Sequence, residues 1–363
     1  MGLSLFRCAS RTLLLLVLLP LSSALAAPPQ FAPVTPGQSL TFPRDFGSHP
    51  TFRTEWWYAT GWLQTPDRRQ IGFQITFFRS ATGHGADNPS QFAPTQLIIA
   101  HAALSDPVEK KLLYGEKTAR QGLGLAYANK GNTELKLDDW HLKRSADGRY
   151  QASVRTRDFK LQLVLQPTQP VMLQGEQGYS RKGPQPEQAS YYYSEPQLRV
   201  TGSLTRRGKA LAVAGSAWLD HEWSSQVLAK DAAGWDWLGA NLDDGSALMA
   251  FRIRSTSGAT LWSHAALRNQ SGQLTQFAPD QVSFTPQRLW QSPRTKARYP
   301  VAMTIRTAAQ QWQLTPLQDD QELYSRRSTG AVYWEGAVSI TRDGAPAGRG
   351  YLELTGYDKK LKL

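Results

Sequence analysis

Hydrophobic residues in this chain recur at every second position rather than every third or fourth. Ile71, Phe73, Ile75 and Phe77 alternate with small or polar neighbours. So do Phe159, Leu161, Leu163 and Leu165, then Leu198, Val200, Gly202 and Leu204, then Met249, Phe251 and Ile253, and then Tyr299, Val301, Met303 and Ile305. Successive side chains of an extended strand point to opposite faces, so this period marks half-buried β-strands. Turn signals separate them: Ala146-Asp147-Gly148, Arg207-Gly208, Asp243-Asp244-Gly245 and Arg342-Asp343-Gly344. No stretch keeps a helical period over three turns. Short antiparallel strands at even spacing predict an all-β protein, a sandwich or an up-and-down barrel.

The pattern is written twice. Trp56-Trp57-Tyr58, Leu63, then Ile71, Phe73 and Ile75, and finally His101-Ala102-Ala103-Leu104 return as Trp235-Asp236-Trp237, Leu242, then Met249, Phe251 and Ile253, and His264-Ala265-Ala266-Leu267. Tyr193-Ser194-Glu195 returns as Tyr333-Trp334-Glu335. Two tandem copies of one β-rich unit predict two domains, residues 40–225 and 230–363, joined by a polar segment before Gly234. A loop from Gln174 to Gln188 is expected to project from the first. On this alignment Asp220-His221-Glu222-Trp223 closes copy one, where copy two reads Leu354-Thr355-Gly356-Tyr357. A feature present once in a duplicated scaffold points to function better than one present twice.

Composition adds a compartment. Arg7 and Arg11, the apolar run from Leu13 to Leu19 and Ala24-Leu25-Ala26 have the order of an export signal, so residues 1–26 are expected to be cleaved and the protein to be periplasmic or secreted. The single cysteine, Cys8, lies in that segment, and the mature core must stand without a disulfide. Net charge falls from +12 to +10 once Arg7 and Arg11 are removed. A basic chain favours anionic surfaces. Its Lys and Arg are scattered, however, the longest clusters being Arg206-Arg207 and Lys359-Lys360, so nucleic acid is not an expected partner. Twelve Trp and thirteen Tyr suit a barrel cavity for an apolar ligand, and equally an aromatic-packed β core.

Three polar constellations stand beside aromatic runs: residues 45–50 with His49, leading to Glu55-Trp56-Trp57-Tyr58; Asp220-His221-Glu222-Trp223; and Trp235-Asp236-Trp237. Alternation puts Leu219, His221 and Trp223 on one strand face and Asp220 and Glu222 on the other. If the His221 face lines a cavity, the imidazole is an acid or base near neutral pH; otherwise it is a core histidine bonded to the backbone. Asp220 and Glu222 are either a proton-holding pair or an anchor for Arg or Lys. Glu55 and Asp236 sit among aromatics, where a carboxylate needs a partner. His101 and His264 occur in both copies, which suits a shared structural hydrogen bond. The chain has no Gly-rich phosphate loop, no Gly-x-Ser-x-Gly elbow and no His-Glu-x-x-His, and His49, His221 and the carboxylates have no regular metal-ligand spacing. Neither a metal nor a cofactor is expected.

The runs DFGSHPTFRTEWWYATGWL, YYYSEPQLRVTGSL, GSAWLDHEW and YWEGAVSI…GRGYLELTGY resemble the exported lipocalin-like proteins of the AttH and carotenoid 1,2-hydratase (hydroxyneurosporene synthase) superfamily, many of them labelled predicted secreted hydrolases. The resemblance covers nearly all of the chain after residue 26. It implies two tandem lipocalin-like antiparallel β-barrels and an elongated hydrophobic ligand, lipid, isoprenoid or polyketide-like. Members hydrate a terminal isoprenoid double bond without a cofactor, and relatives cyclise polyketide chains. The resemblance passes a role in activity to His221 and Trp223. The carotenoid hydratases also use a Tyr and an Asp on a following strand, and here that strand, Ala247 to Arg254, carries neither.

Two functions therefore stand side by side. One is cofactor-independent acid/base hydration or hydrolysis, with His221 as acid or base, Asp220, Glu222 or Asp236 orienting it or holding the proton, and Trp223, Trp56, Trp57, Tyr58, Glu55, His49, Trp235 and Trp237 around the ligand. The other is a non-catalytic periplasmic lipid carrier serving an inner-membrane transporter.

Overall fold

A computed structural model describes residues 31–84, 88–90 and 92–361. The expected export signal lies outside these residues.

The alternating segments are strands, and they form two large antiparallel sheets. The first runs from Thr54–Gln64 to Lys209–Gln226, the second from Ala232–Leu242 to Ala345–Leu354. In each, the first strand is hydrogen-bonded to the last as well as to its own hairpin partner: Thr54–Gln64 to Lys209–Gln226, and Ala232–Leu242 to Ala345–Leu354. Each sheet curls until its ends touch. Glu134–Leu137 meets Lys111–Arg120 in the first, and Thr260–Arg268 meets Val282–Gln291 in the second. The protein is all-β, with the two-barrel lipocalin-like architecture. The segment after Gln174 is less a loop than an arm, since its short strand Tyr179–Arg181 pairs with Ala189–Arg206.

Each barrel is filled by its own side chains. Trp57, Leu63, Phe73, Ile75, Leu163, Val200 and Leu219 belong to the first core, and Leu238, Leu248, Tyr299, Ile305, Trp334 and Leu352 to the second. A third apolar cluster joins them, with Tyr58, Trp62, Tyr192 and Trp218 from one sheet against Trp237, Met249, Phe251, Ile253 and Tyr351 from the other. The sheets approach closely on one side, where a Cβ on Gly72 would lie 2.5 Å from that of Ala337. Trp62 Nε1 donates across the junction to the Gly350 carbonyl at 3.0 Å.

The ladders correct the alignment of the copies. Thr76 bridges Tyr58 and His101, and Phe251 bridges Trp237 and His264. Trp56 and Trp235 therefore correspond, as do His101 and His264. Phe73 does not correspond to Phe251, though; it corresponds to Leu248. The reason is side-chain period two: the sequence alignment was offset by three residues here, and an odd slip exchanges the faces. Ile71, Phe73 and Ile75 fill the first barrel, while Met249, Phe251 and Ile253 face outward to the junction. The closing strands slip likewise. Asp220 stands opposite Tyr58, and Glu353 opposite Trp237, so Asp220 matches Glu353 rather than Leu354. His221 matches Leu354. Tyr192-Tyr193-Ser194, not Tyr193-Ser194-Glu195, matches Tyr333-Trp334-Glu335.

Candidate functional site between the barrels

Corresponding rungs of the two sheets face each other across the junction. The first reads His101, Thr76, Tyr58, Asp220, Ser194; the second reads His264, Phe251, Trp237, Glu353, Glu335. Between them lies a cavity of about 90 Å³. Its apolar wall is Trp56, Phe78, Trp235, Trp237, Phe251 and Ile253, and its polar wall carries four carboxyl groups, Asp220, Glu222, Glu335 and Glu353.

Burial decides the charge of three of them, because a carboxylate taken out of water is favoured only if enough donors replace the water. For Asp220, burial pushes the pKa up to about 7, against the pull of Ser194 Oγ, Trp218 Nε1 and Tyr192 OH, which donate at 2.6, 2.6 and 2.8 Å. Glu353 accepts a bond from Trp235 Nε1 at 3.0 Å, and burial together with the nearby Asp220 and Glu222 raises it to about 8. Glu335, bonded to Tyr58 OH and set beside Glu353 in the ladder, is held well above the usual carboxylate range by burial first and Glu353 second. Glu222 differs: Lys182 Nζ, from the arm, is 2.9 Å away, and Ser190 donates to it. The Lys182 ammonium also sits 4.2 Å from the Phe251 ring centroid. The cavity thus joins neutral carboxylic acids, one ion pair and aromatic faces.

The residues singled out in the sequence divide among three places. Asp220, Glu222, Trp56, Tyr58, Trp235 and Trp237 line the cavity. His221, Trp223, Trp57, Glu55 and His49 gather at one end of the first barrel, on the opposite side of the sheet. There His221 is fully buried, stacked on Trp57 with centroids 4.3 Å apart, and burial pulls its pKa down to about 4. Its face looks into the packed barrel, so the expectation that this face lines a cavity is not met: the open space lies behind Asp220 and Glu222. Asp236 is in the second barrel, 2.6 Å from Arg252 Nε and 2.9 Å from Arg254 Nε, with Tyr357 OH at 3.0 Å. As the sequence required of carboxylates among aromatics, Glu55 and Asp236 both have cationic partners. Nor do the copied histidines share a hydrogen bond: His101 reaches Tyr333 OH at 2.5 Å and Ser328 Oγ at 2.8 Å, whereas His264 is met by Gln276 and the Phe277 backbone and its Nε2 has no partner among the described residues.

The sequence profile of the AttH-like family matches residues 33–357. The chain belongs to the AttH-like family. An AttH-type protein of Nitrosomonas europaea is similar at 58% identity and a TM-score of 0.85, over 90% of this chain and all of that one. Kievitone hydratase from Nectria haematococca shares the fold at 14% identity, with a TM-score of 0.67 over 92% of this chain and 97% of its own. CghA bound to Sch210972 does so at 14% identity and a TM-score of 0.53, over 84% and 89%. None of the curated proteins matches by sequence.

Sequence reasoning did not single out Glu335, Glu353 or Lys182. The first two sit in runs already noticed, YWEGAVSI and GRGYLELTGY. A signal for Glu353 was present: aligning the copies by strand parity places it on Asp220.

Proposed function

We propose that this AttH-like protein adds water to a double bond of an elongated apolar ligand held between its barrels, with no cofactor. The observation that carries this reading is a set of buried carboxyl groups lining an aromatic cavity, with Glu335 and Glu353 raised above neutral pH and Asp220 raised to about 7. Glu353 is the proton donor. It gives its proton to one alkene carbon, and the positive charge on the other carbon is stabilised by the faces of Trp56, Trp235 and Trp237. Water adds to that carbon and loses a proton to the Glu353 carboxylate, which restores the acid. Asp220 and the Glu222–Lys182 pair orient the water. Hydrolysis fits less well, because among the described residues the hydroxyls on the wall are those of Tyr58, Thr54 and Thr76, and no Ser, Cys or His lines it. The hydration named in kievitone hydratase, on the same fold, supports the reading, as does the export expected from residues 1–26.

The test is incubation with unsaturated isoprenoids and fatty acids in H₂¹⁸O, read by mass spectrometry. The expected result is one ¹⁸O per product, with turnover reduced about a hundredfold or more in Glu353→Gln while ligand affinity stays within a few-fold. Ligand that binds and returns unchanged would make the protein a carrier.

A further inference from the structure

The cavity leaves unused a buried polar cluster at the end of the first barrel. Glu55 is fully buried at its centre. Arg79 Nε lies 2.8 Å from Oε2, while His49 Nδ1 and His221 Nε2 converge on Oε1 at 2.7 and 2.9 Å. Each imidazole turns its other nitrogen to an oxygen, His49 Nε2 to Asp45 Oδ1 at 3.2 Å and His221 Nδ1 to the Tyr193 hydroxyl at 3.0 Å. The ring planes are held by aromatic stacking, His49 on Trp223 with centroids 3.8 Å apart and His221 on Trp57. Metal-bound imidazoles are oriented in this manner, the inner nitrogen free to ligate and the outer one fixed by a carboxylate or other oxygen.

The second barrel shows what the first lacks. At its corresponding end one carboxylate, Asp236, is held by two guanidinium groups, Arg252 and Arg254. By the ladder Arg254 corresponds to Arg79, but Arg252 corresponds to Phe77. The first barrel keeps one of the two arginines, and its carboxylate Glu55 has two imidazoles beside it instead of a second arginine.

We propose that a divalent transition-metal ion occupies this place, bound by His49 Nδ1, His221 Nε2 and Glu55 Oε1. Two imidazoles and a carboxylate, with water as fourth ligand, suit zinc. The three ligand atoms lie within 4.8 Å of one another. Tetrahedral zinc with bonds of about 2.0–2.2 Å sets its ligands roughly 3.3 Å apart, so each nitrogen draws back from Oε1 by about half an ångström while the two imidazoles close toward each other around the ion. The His49 side chain, 16% exposed, gives the ion a way in. The site faces away from the cavity, and its role is to staple the segment carrying Asp45 and His49 onto the barrel end. This reverses the expectation of no metal drawn from sequence spacing. It is independent of the hydration reading.

The test uses the mature protein stripped with EDTA, with Co²⁺ and Zn²⁺ as probes. One equivalent of Co²⁺ should give a visible d–d absorption, and Zn²⁺ at a thousandfold excess over its Kd should raise Tm by about 5 °C. His49→Ala should abolish the Co²⁺ band, and Asp45→Asn should weaken binding about tenfold. The proposal is overturned if the folded wild-type protein gives no Co²⁺ band and the same Tm with Zn²⁺ as with EDTA. A proton on His49 would then be the second positive charge beside Glu55.

Discussion

The two barrels repeat one pattern, and the faces they turn to each other carry different chemistry in each copy. Leu63 and Leu242 hold equivalent interior positions, as do Ala59 and Leu238. On the junction face, equivalent positions carry Thr76 and Phe251, Ser194 and Glu335, Asp220 and Glu353. Mid-barrel interior positions such as these stay apolar in both copies while their volumes are redistributed, since a close-packed core needs its total volume filled rather than each side chain kept. A junction position meets a different neighbour in each copy and is free to diverge. Both barrels build the cavity, each with aromatics and acids: Trp56, Phe78, Asp220 and Glu222 from the first, and Trp235, Trp237, Phe251, Glu335 and Glu353 from the second.

The barrel-end ion clusters give the largest expected effect. Arg79→Met and Arg254→Met each remove a buried cation from a buried carboxylate, and each should lower stability by about 3–5 kcal/mol in urea unfolding. A loss under about 1 kcal/mol at either position would break the equivalence of the two ends.

The two acids come next. If Glu353 is the donor, turnover should fall as pH rises through about 8, where it ionises. Asp220→Asn should keep that limb but move it to lower pH, since the Asp220 charge helps raise Glu353, while Glu353→Gln should abolish it along with turnover. The same group predicts a stability slope. Its folded pKa is raised, so the native state binds the proton more tightly than the unfolded chain. Stability linked to Glu353 is therefore full below the ordinary glutamate range and lost as pH rises to about 8. Urea midpoints of Glu353→Gln across this window should be flatter than wild type.

The histidines sharpen the comparison by the smallest margin. His101→Phe strands the hydroxyls of Tyr333 and Ser328 and should cost about 2–3 kcal/mol, whereas His264→Phe should cost less, because among the described residues His264 Nε2 has no partner and only the contacts to Gln276 and the Phe277 backbone are lost. Equal losses would mean that the two ends of the rungs are alike after all.

Much of this architecture was legible in the sequence because alternation is local. Period two marks strands, its interruption marks turns, and its repetition marks the second barrel. Alternation also separated His221 from Asp220 and Glu222, and the two faces are indeed distinct. What alternation lacks is an absolute reference. It cannot say which face meets a core and which meets a cavity, and one odd slip in aligning Phe73 with Phe251 reversed the answer. Asp220 consequently looked unmatched, and Glu353 was passed over although both residues were in plain view. Only tertiary structure decided that the barrels are packed solid and that the open space lies between them. The physical reason is that the pKa of a carboxyl group depends on which surface covers it, and here that surface belongs to another domain more than a hundred residues away.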